Sequence, residues 1–132
     1  MKYLFDTHII IWTLEDDKRL SQKVKDIIAN NNDQIYYSVI SPWETEIKHL
    51  KHKNFNLSGK QMTTMCDCNG MFCLPIEAEH VEELKNLNKP EDVAHNDPFD
   101  RMLLAQAKAE KMILITHDKK FKAYDEKCLM IV

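Results

Sequence analysis

Asp97-Pro98-Phe99-Asp100-Arg101-Met102-Leu103-Leu104-Ala105-Gln106-Ala107, running on to Met112-Ile113-Leu114-Ile115-Thr116-His117-Asp118, reads as one helix followed by one buried strand. Asp97 is a helix N-cap, and Pro98 fits the first helical position, where a missing N–H does no harm. Leu103, Leu104 and Ala107 form the packing stripe, with Phe99 one turn before Leu103, and the helix is predicted to run to about Glu110. Met112 to Ile115 is a short, continuous apolar run, the mark of a strand covered on both faces. An acid, Asp118, follows that strand, and another, Asp100, stands in the first turn of the helix.

The same grammar recurs outward from this unit. Tyr3 to Phe5 is a strand ending at Asp6, and a very apolar helix is predicted from His8 to about Glu15. Ser21 caps a second helix whose Val24, Ile27 and Ile28 share a face, and Asn30 to Asp33 ends it. Ile35 to Ser38 is a strand. Ser41-Pro42-Trp43-Glu44 then reads as N-cap, first helical residue and capping-box acid of a helix to about Lys51. A helix from Ser58 to Cys68 is stopped by Asn69-Gly70, and Phe72 to Leu74 is a strand. A helix from Glu77 to about Leu87 precedes a polar loop over Asn88 to Asn96. Past Asp118, a helical turn near Lys119 to Tyr124 leads to a last strand, Leu129 to Val132. Alternating strands and helices predict an α/β fold with a parallel sheet covered on both faces. The 132 residues suit one domain, residues 1–132.

Composition excludes several chemistries. The only two glycines, Gly59 and Gly70, are too far apart for a phosphate-cradling loop or a dinucleotide fingerprint. Cys66, Cys68 and Cys73 are spaced C-x-C-x4-C, without the C-x2-C knuckle of structural zinc sites, and with Cys128 they read as ordinary thiols of a reducing compartment, with a redox or metal role as the lesser alternative. The N-terminus lacks an export signal and no apolar run approaches the ~20 residues of a membrane helix, so a cytoplasmic chain without membrane contact is expected. The formal charge of −3 is unhelpful to a nucleic-acid binder, but two bound divalent ions would bring it to about +1. No G-x-S-x-G elbow supports nucleophilic catalysis.

What remains is acid. Asp6, Glu44, Asp100 and Asp118 sit at strand ends or helix starts, and the carboxyl ends of parallel strands converge on one crevice. Glu44 and Asp100, taken singly, read as capping residues at the positive end of a helix dipole. Asp6 and Asp118 follow apolar strands directly and must face the crevice or suffer desolvation. Together the four predict a site for Mg²⁺ or Mn²⁺ and phosphate-ester chemistry. Thr7, Ser41 and Thr116 are placed to orient a carboxylate, with local capping as the equal alternative. Asp97 is read as a cap ahead of a ligand, and Arg101 as a phosphate contact or an internal ion pair. Lys48 to Lys53 and Lys119 to Lys122 are basic patches beside acidic segments. His8, His95 and His117 flank acids, while His49, His52 and His80 carry no motif.

Four segments in order, Leu4-Phe5-Asp6-Thr7-His8, Ser38-x-x-Ser41-Pro42-Trp43-Glu44-x-x-x-Lys48, His95-x-Asp97 through Ala107, and Leu114-Ile115-Thr116-x-Asp118, resemble PIN-domain ribonucleases. They resemble most the VapC-type toxins of bacterial toxin–antitoxin modules. The resemblance implies a three-layer α/β/α domain with a five-stranded parallel sheet, and a Mg²⁺- or Mn²⁺-dependent endoribonuclease. It places Asp6, Glu44, Asp100 and Asp118 on the family's acidic quartet. It further implies an RNA substrate, a homodimer and a cognate antitoxin as partner. Two alternatives stand beside it: a catalytically silent PIN-like binding module, and a phosphohydrolase with Asp6 as nucleophile.

Overall fold

Leu4 and Leu114 bury their side chains on one face of a sheet, while their neighbours Phe5 and Ile115 bury theirs on the other. That period-of-two alternation within continuous apolar strands is what a sheet covered on both sides requires. The computed structural model describes residues 1–90 and 97–132. Five strands, β1 (Lys2–Phe5), β2 (Gln34–Ser38), β3 (Phe72–Leu74), β4 (Ile113–Thr116) and β5 (Leu129–Ile131), form one sheet in the order β3-β2-β1-β4-β5. All four pairings are parallel, with Phe5 in register with both Tyr37 and Ile115. The chain winds outward from β1 to β3, then returns to lay β4 against the other side of β1. That reversal opens a crevice between the carboxyl ends of β1 and β4.

Six helices cover the sheet among the described residues: α1 (Thr7–Glu15), α2 (Gln22–Ala29), α3 (Ile40–Lys51), α4 (Gly59–Cys68), α5 (Ala78–Glu83) and α6 (Pro98–Glu110). One core layer packs Ile9, Ile10, Val24, Ile27, Met62 and Cys66 against Phe5 and Ile115. The other packs Leu103, Leu104 and Ala107 of α6, with Phe121, against Leu4 and Leu114. The result is a three-layer α/β/α arrangement, as expected. No helix among the described residues is long and apolar enough to cross a membrane.

Most element boundaries agree with the sequence reading. Ser21, Ser58 and Asp97 accept backbone N–H groups as caps, and Gly70, at a φ of 77°, takes the left-handed turn that ends α4. Gly59 has a different duty: a Cβ there would stand 2.7 Å from the Pro42 carbonyl oxygen, so only glycine lets α4 start so close to α3. The start of α3 departs from expectation. Val39, in helical conformation, precedes the helix without a side-chain cap, so Ser41 and Pro42 are the second and third helical residues. The Ser41 hydroxyl is engaged by another element, and Ser38 Oγ serves the Ile40 N–H instead, at 3.1 Å. The helix expected to Leu87 tightens after Glu83 into a 3₁₀ turn, Leu84–Asn86. His95, and the polar loop from residue 91 to 96, lie outside the described residues.

Candidate metal centre

Asp6 ends β1 and caps α1, because an extended residue between strand and helix can turn its carboxylate onto the first free N–H groups. Its Oδ1 accepts the Thr7 N–H at 2.7 Å, and its Oδ2 accepts the Thr116 hydroxyl at 2.6 Å from the end of β4. The side chain is almost fully buried, and burial raises its pKa. The bonds from Thr116 and Thr7 pull the other way, and the nearby Glu44 charge adds to the rise. Thr116 Oγ1 in turn accepts the Asp118 N–H at 3.1 Å, and Asp118 Oδ1 caps the following 3₁₀ turn through the Lys120 N–H at 2.9 Å. One threonine thus links the acids at the ends of β1 and β4.

A second hydroxyl pair serves Glu44. Thr7 donates its single hydroxyl proton to Glu44 Oε1 at 2.8 Å, so the 2.9 Å contact between Thr7 and Ser41 must be a bond donated by Ser41. Glu44 is the fifth residue of α3, beyond reach of a capping box, and its carboxylate faces α1. The capping alternative for this acid is removed.

From α6, Asp97 Oδ1 accepts the N–H groups of Phe99 and Asp100, as a cap. Asp100 is half-buried and its pKa is pushed up to about 8. Burial is the main cause, and the charges of Asp6, Asp97, Asp118 and Glu44 follow. Acids from β1, α3, α6 and the β4 exit therefore act on one another across a single crevice. Among the described residues, Asp6, Glu44 and Asp118 have no ion-pair partner. Such a set of carboxylate oxygens, with no thiolate or imidazole among it, fits a hard cation such as Mg²⁺, Mn²⁺ or Ca²⁺.

One other cluster of possible ligands is accounted for by its hydrogen bonds. Glu79, His80 and Glu110 bring their ligand atoms within 4.8 Å of one another. His80, fully buried and without an obvious signal in the sequence, accepts the Glu77 N–H on Nδ1 at 2.9 Å. Its proton is therefore on Nε2, 3.0 Å from Glu110, and no lone pair is left for a cation. The His80–Glu110 pair holds α5 to the end of α6, about 15 Å of helix away from Asp100. Arg101 lies beside the Tyr124 hydroxyl, and its buried Nε has no hydrogen-bond partner among the described residues. Cys66 is buried, with its thiol pushed up to about 12 by desolvation. Cys68 and Cys73 are exposed, and all four cysteines are free thiols.

Aromatic side chains stand on both flanks of the acids. Trp12 meets His117 edge to face at 5.0 Å and His8 at 6.2 Å, while Arg19 lies over its ring at 4.8 Å. Trp43 meets Phe99 at 4.9 Å. The sequence reading gave Trp43 no role and Phe99 only a place beside the packing stripe of α6, although each directly precedes a candidate acid.

A parallel β3-β2-β1-β4-β5 sheet with acids gathered at its switch point defines the class. The PIN-domain family model matches residues 3–127, and the chain belongs to that family. Among solved structures, VapBC2 of Rickettsia felis, bound to a promoter DNA fragment, has a chain 18% identical with a TM-score of 0.70, covering 100% of this chain and 98% of that one. VapBC-1 of nontypeable Haemophilus influenzae gives 18% identity and a TM-score of 0.66 over 93% and 92%. DNA-bound VapBC of Salmonella typhimurium gives 13% and 0.65 over 100% and 97%. At these identities the likeness is one of fold. No curated protein matches the chain.

Proposed function

We propose that residues 1–132 form a single PIN domain that acts as a divalent-metal-dependent endoribonuclease, the VapC-type toxin of a type II toxin–antitoxin pair. The observation that carries the reading is the hydrogen-bonded frame in which Thr7 holds Asp6 and Glu44 while Thr116 holds Asp6 and the Asp118 backbone, with Asp100 facing the same acids from α6. Family membership and the toxin–antitoxin complexes among its structural neighbours support the biological role. Asp6, Glu44, Asp100 and Asp118 are the proposed ligands of Mg²⁺ or Mn²⁺. A bound ion of this kind activates water and neutralises charge on a phosphodiester.

The residues of the chain do the rest by positioning. Thr116 holds Asp6 and the start of the Asp118 turn in one register, and Thr7, fixed by Ser41, aims Glu44. Asp97 pins the first turn of α6 and so the direction of Asp100. Both oxygens of Asp6 already accept hydrogen bonds, which suits a fixed ligand better than an attacking nucleophile. Cytoplasmic location, a homodimer and an antitoxin that covers the crevice complete the proposal. The test is cleavage of RNA by the purified chain with Mg²⁺ or Mn²⁺, with EDTA as control. Asp6→Asn should abolish cleavage with the fold retained, and full activity in that variant overturns the reading.

A further inference from the structure

Trp43 precedes Glu44 on α3, and Phe99 precedes Asp100 on α6. Their rings meet edge to face, with centroids 4.9 Å apart and planes at 76°. The contact joins two helices and fixes the indole, yet Trp43 remains 54% exposed. The fold thus keeps a large, braced π surface open one residue from the carboxylates. Farther along α3 the last turn carries Lys48 and Lys51, while the His49 ring hydrogen bonds to the Phe55 carbonyl at 2.8 Å. A fixed aromatic face with cations beyond it is the composition of a single-strand nucleic-acid platform, where bases stack and the backbone follows the charge.

We propose that Trp43, braced by Phe99, stacks on an unpaired nucleobase next to the phosphodiester presented to the carboxylates. This rests on the ribonuclease reading and deepens it by assigning a base-contacting residue outside the carboxylates, one that needs a base with a free face. Trp43 is then a specificity residue that acts through binding. The rival occupant is protein, since Leu50, two helical turns beyond Trp43, is 76% exposed and extends an apolar ridge. Lys48 and Lys51 flank Leu50 in sequence, which suits a polyanion better than an apolar partner.

The experiment measures kcat and KM on a short single-stranded RNA with one cleavage site, and on copies carrying an abasic nucleotide at each flanking position in turn. Wild type, Trp43→Ala, Trp43→Phe and Leu50→Ala are compared, with sedimentation to follow mass. Trp43→Ala is expected to raise KM by roughly 5- to 150-fold with kcat little changed, and Trp43→Phe to restore most of it. One abasic position should cost the wild type a similar factor and cost Trp43→Ala nothing further. Leu50→Ala should be neutral. Unchanged KM in Trp43→Ala with base-independent cleavage overturns the proposal, as does loss of mass in both Trp43→Ala and Leu50→Ala without a change in KM. A wild type that cleaves no RNA with Mg²⁺ or Mn²⁺ removes the ribonuclease reading itself, an outcome distinct from either.

Discussion

Replacing Asp100 by Asn keeps the side chain's shape and removes one charge from the crevice. In the folded chain without divalent ions, the Asp100 pKa is raised from 3.8 to about 8. A raised acid contributes stability that is fully present below its unfolded pKa and is lost as pH rises through the folded value. The window for Asp100 therefore runs from about pH 4 to pH 8. Four units at about 1.4 kcal/mol each would be close to 6 kcal/mol, but the group is partly exposed, and solvent screening reduces this to about 2–3 kcal/mol. Urea unfolding in EDTA should thus show the wild type losing stability between pH 5 and 8, with a shallower loss in Asp100→Asn. At pH 8 the variant should be the more stable by about 2 kcal/mol. Added Mg²⁺ or Mn²⁺ should stabilise the wild type through mass action and the variant much less. A variant that is less stable than wild type in EDTA at pH 8, or one equally stabilised by the metal, refutes the electrostatic argument.

Other outcomes follow from single contacts. Thr116→Val removes the bond to Asp6 and leaves the Asp118 N–H unserved, so a loss of about 2–3 kcal/mol in urea unfolding is expected, together with a large loss of RNA cleavage. Thr116→Ser should retain most of both, and equal losses in the two would count against the hydroxyl. Gly59→Ala places a Cβ 2.7 Å from the Pro42 carbonyl and should lower stability by about 1–3 kcal/mol with metal affinity unchanged. His80→Ala opens a cavity and leaves the Glu77 N–H without its partner, which should cost about 2–4 kcal/mol by denaturation, again without effect on metal binding. An unchanged midpoint in that variant would contradict the structural role assigned to the histidine.

The layers of the fold were readable because their signals are local. Leu4-Phe5 and Leu114-Ile115 are apolar at every position, as strands between two helical layers must be, and Ser21, Ser58, Asp97 and Asn69-Gly70 mark helix ends by their own chemistry. The start of α3 was misread for the same reason. Ser41-Pro42-x-Glu44 satisfies a local capping pattern, but Ser41 and Glu44 have a stronger call on their hydrogen bonds from Thr7, 34 and 37 residues earlier. The link between Asp6 and Thr116 spans 110 residues and has no sequence signal beyond the fold itself. His80 was passed over because nothing within its own segment announces that Glu110, thirty residues on, and the Glu77 N–H will consume both ring nitrogens. Strand ends placed the acids near the crevice, whereas the hydroxyl pairs that aim them became visible only in three dimensions.

The most direct test is Mn²⁺ binding by electron paramagnetic resonance, titrated into wild type, Asp6→Asn and Glu110→Gln. The carboxylate crevice predicts protein-bound Mn²⁺ in wild type and Glu110→Gln, and its loss or marked weakening in Asp6→Asn. Binding that survives Asp6→Asn and disappears with Glu110→Gln would move the metal to the end of α6 and contradict the account.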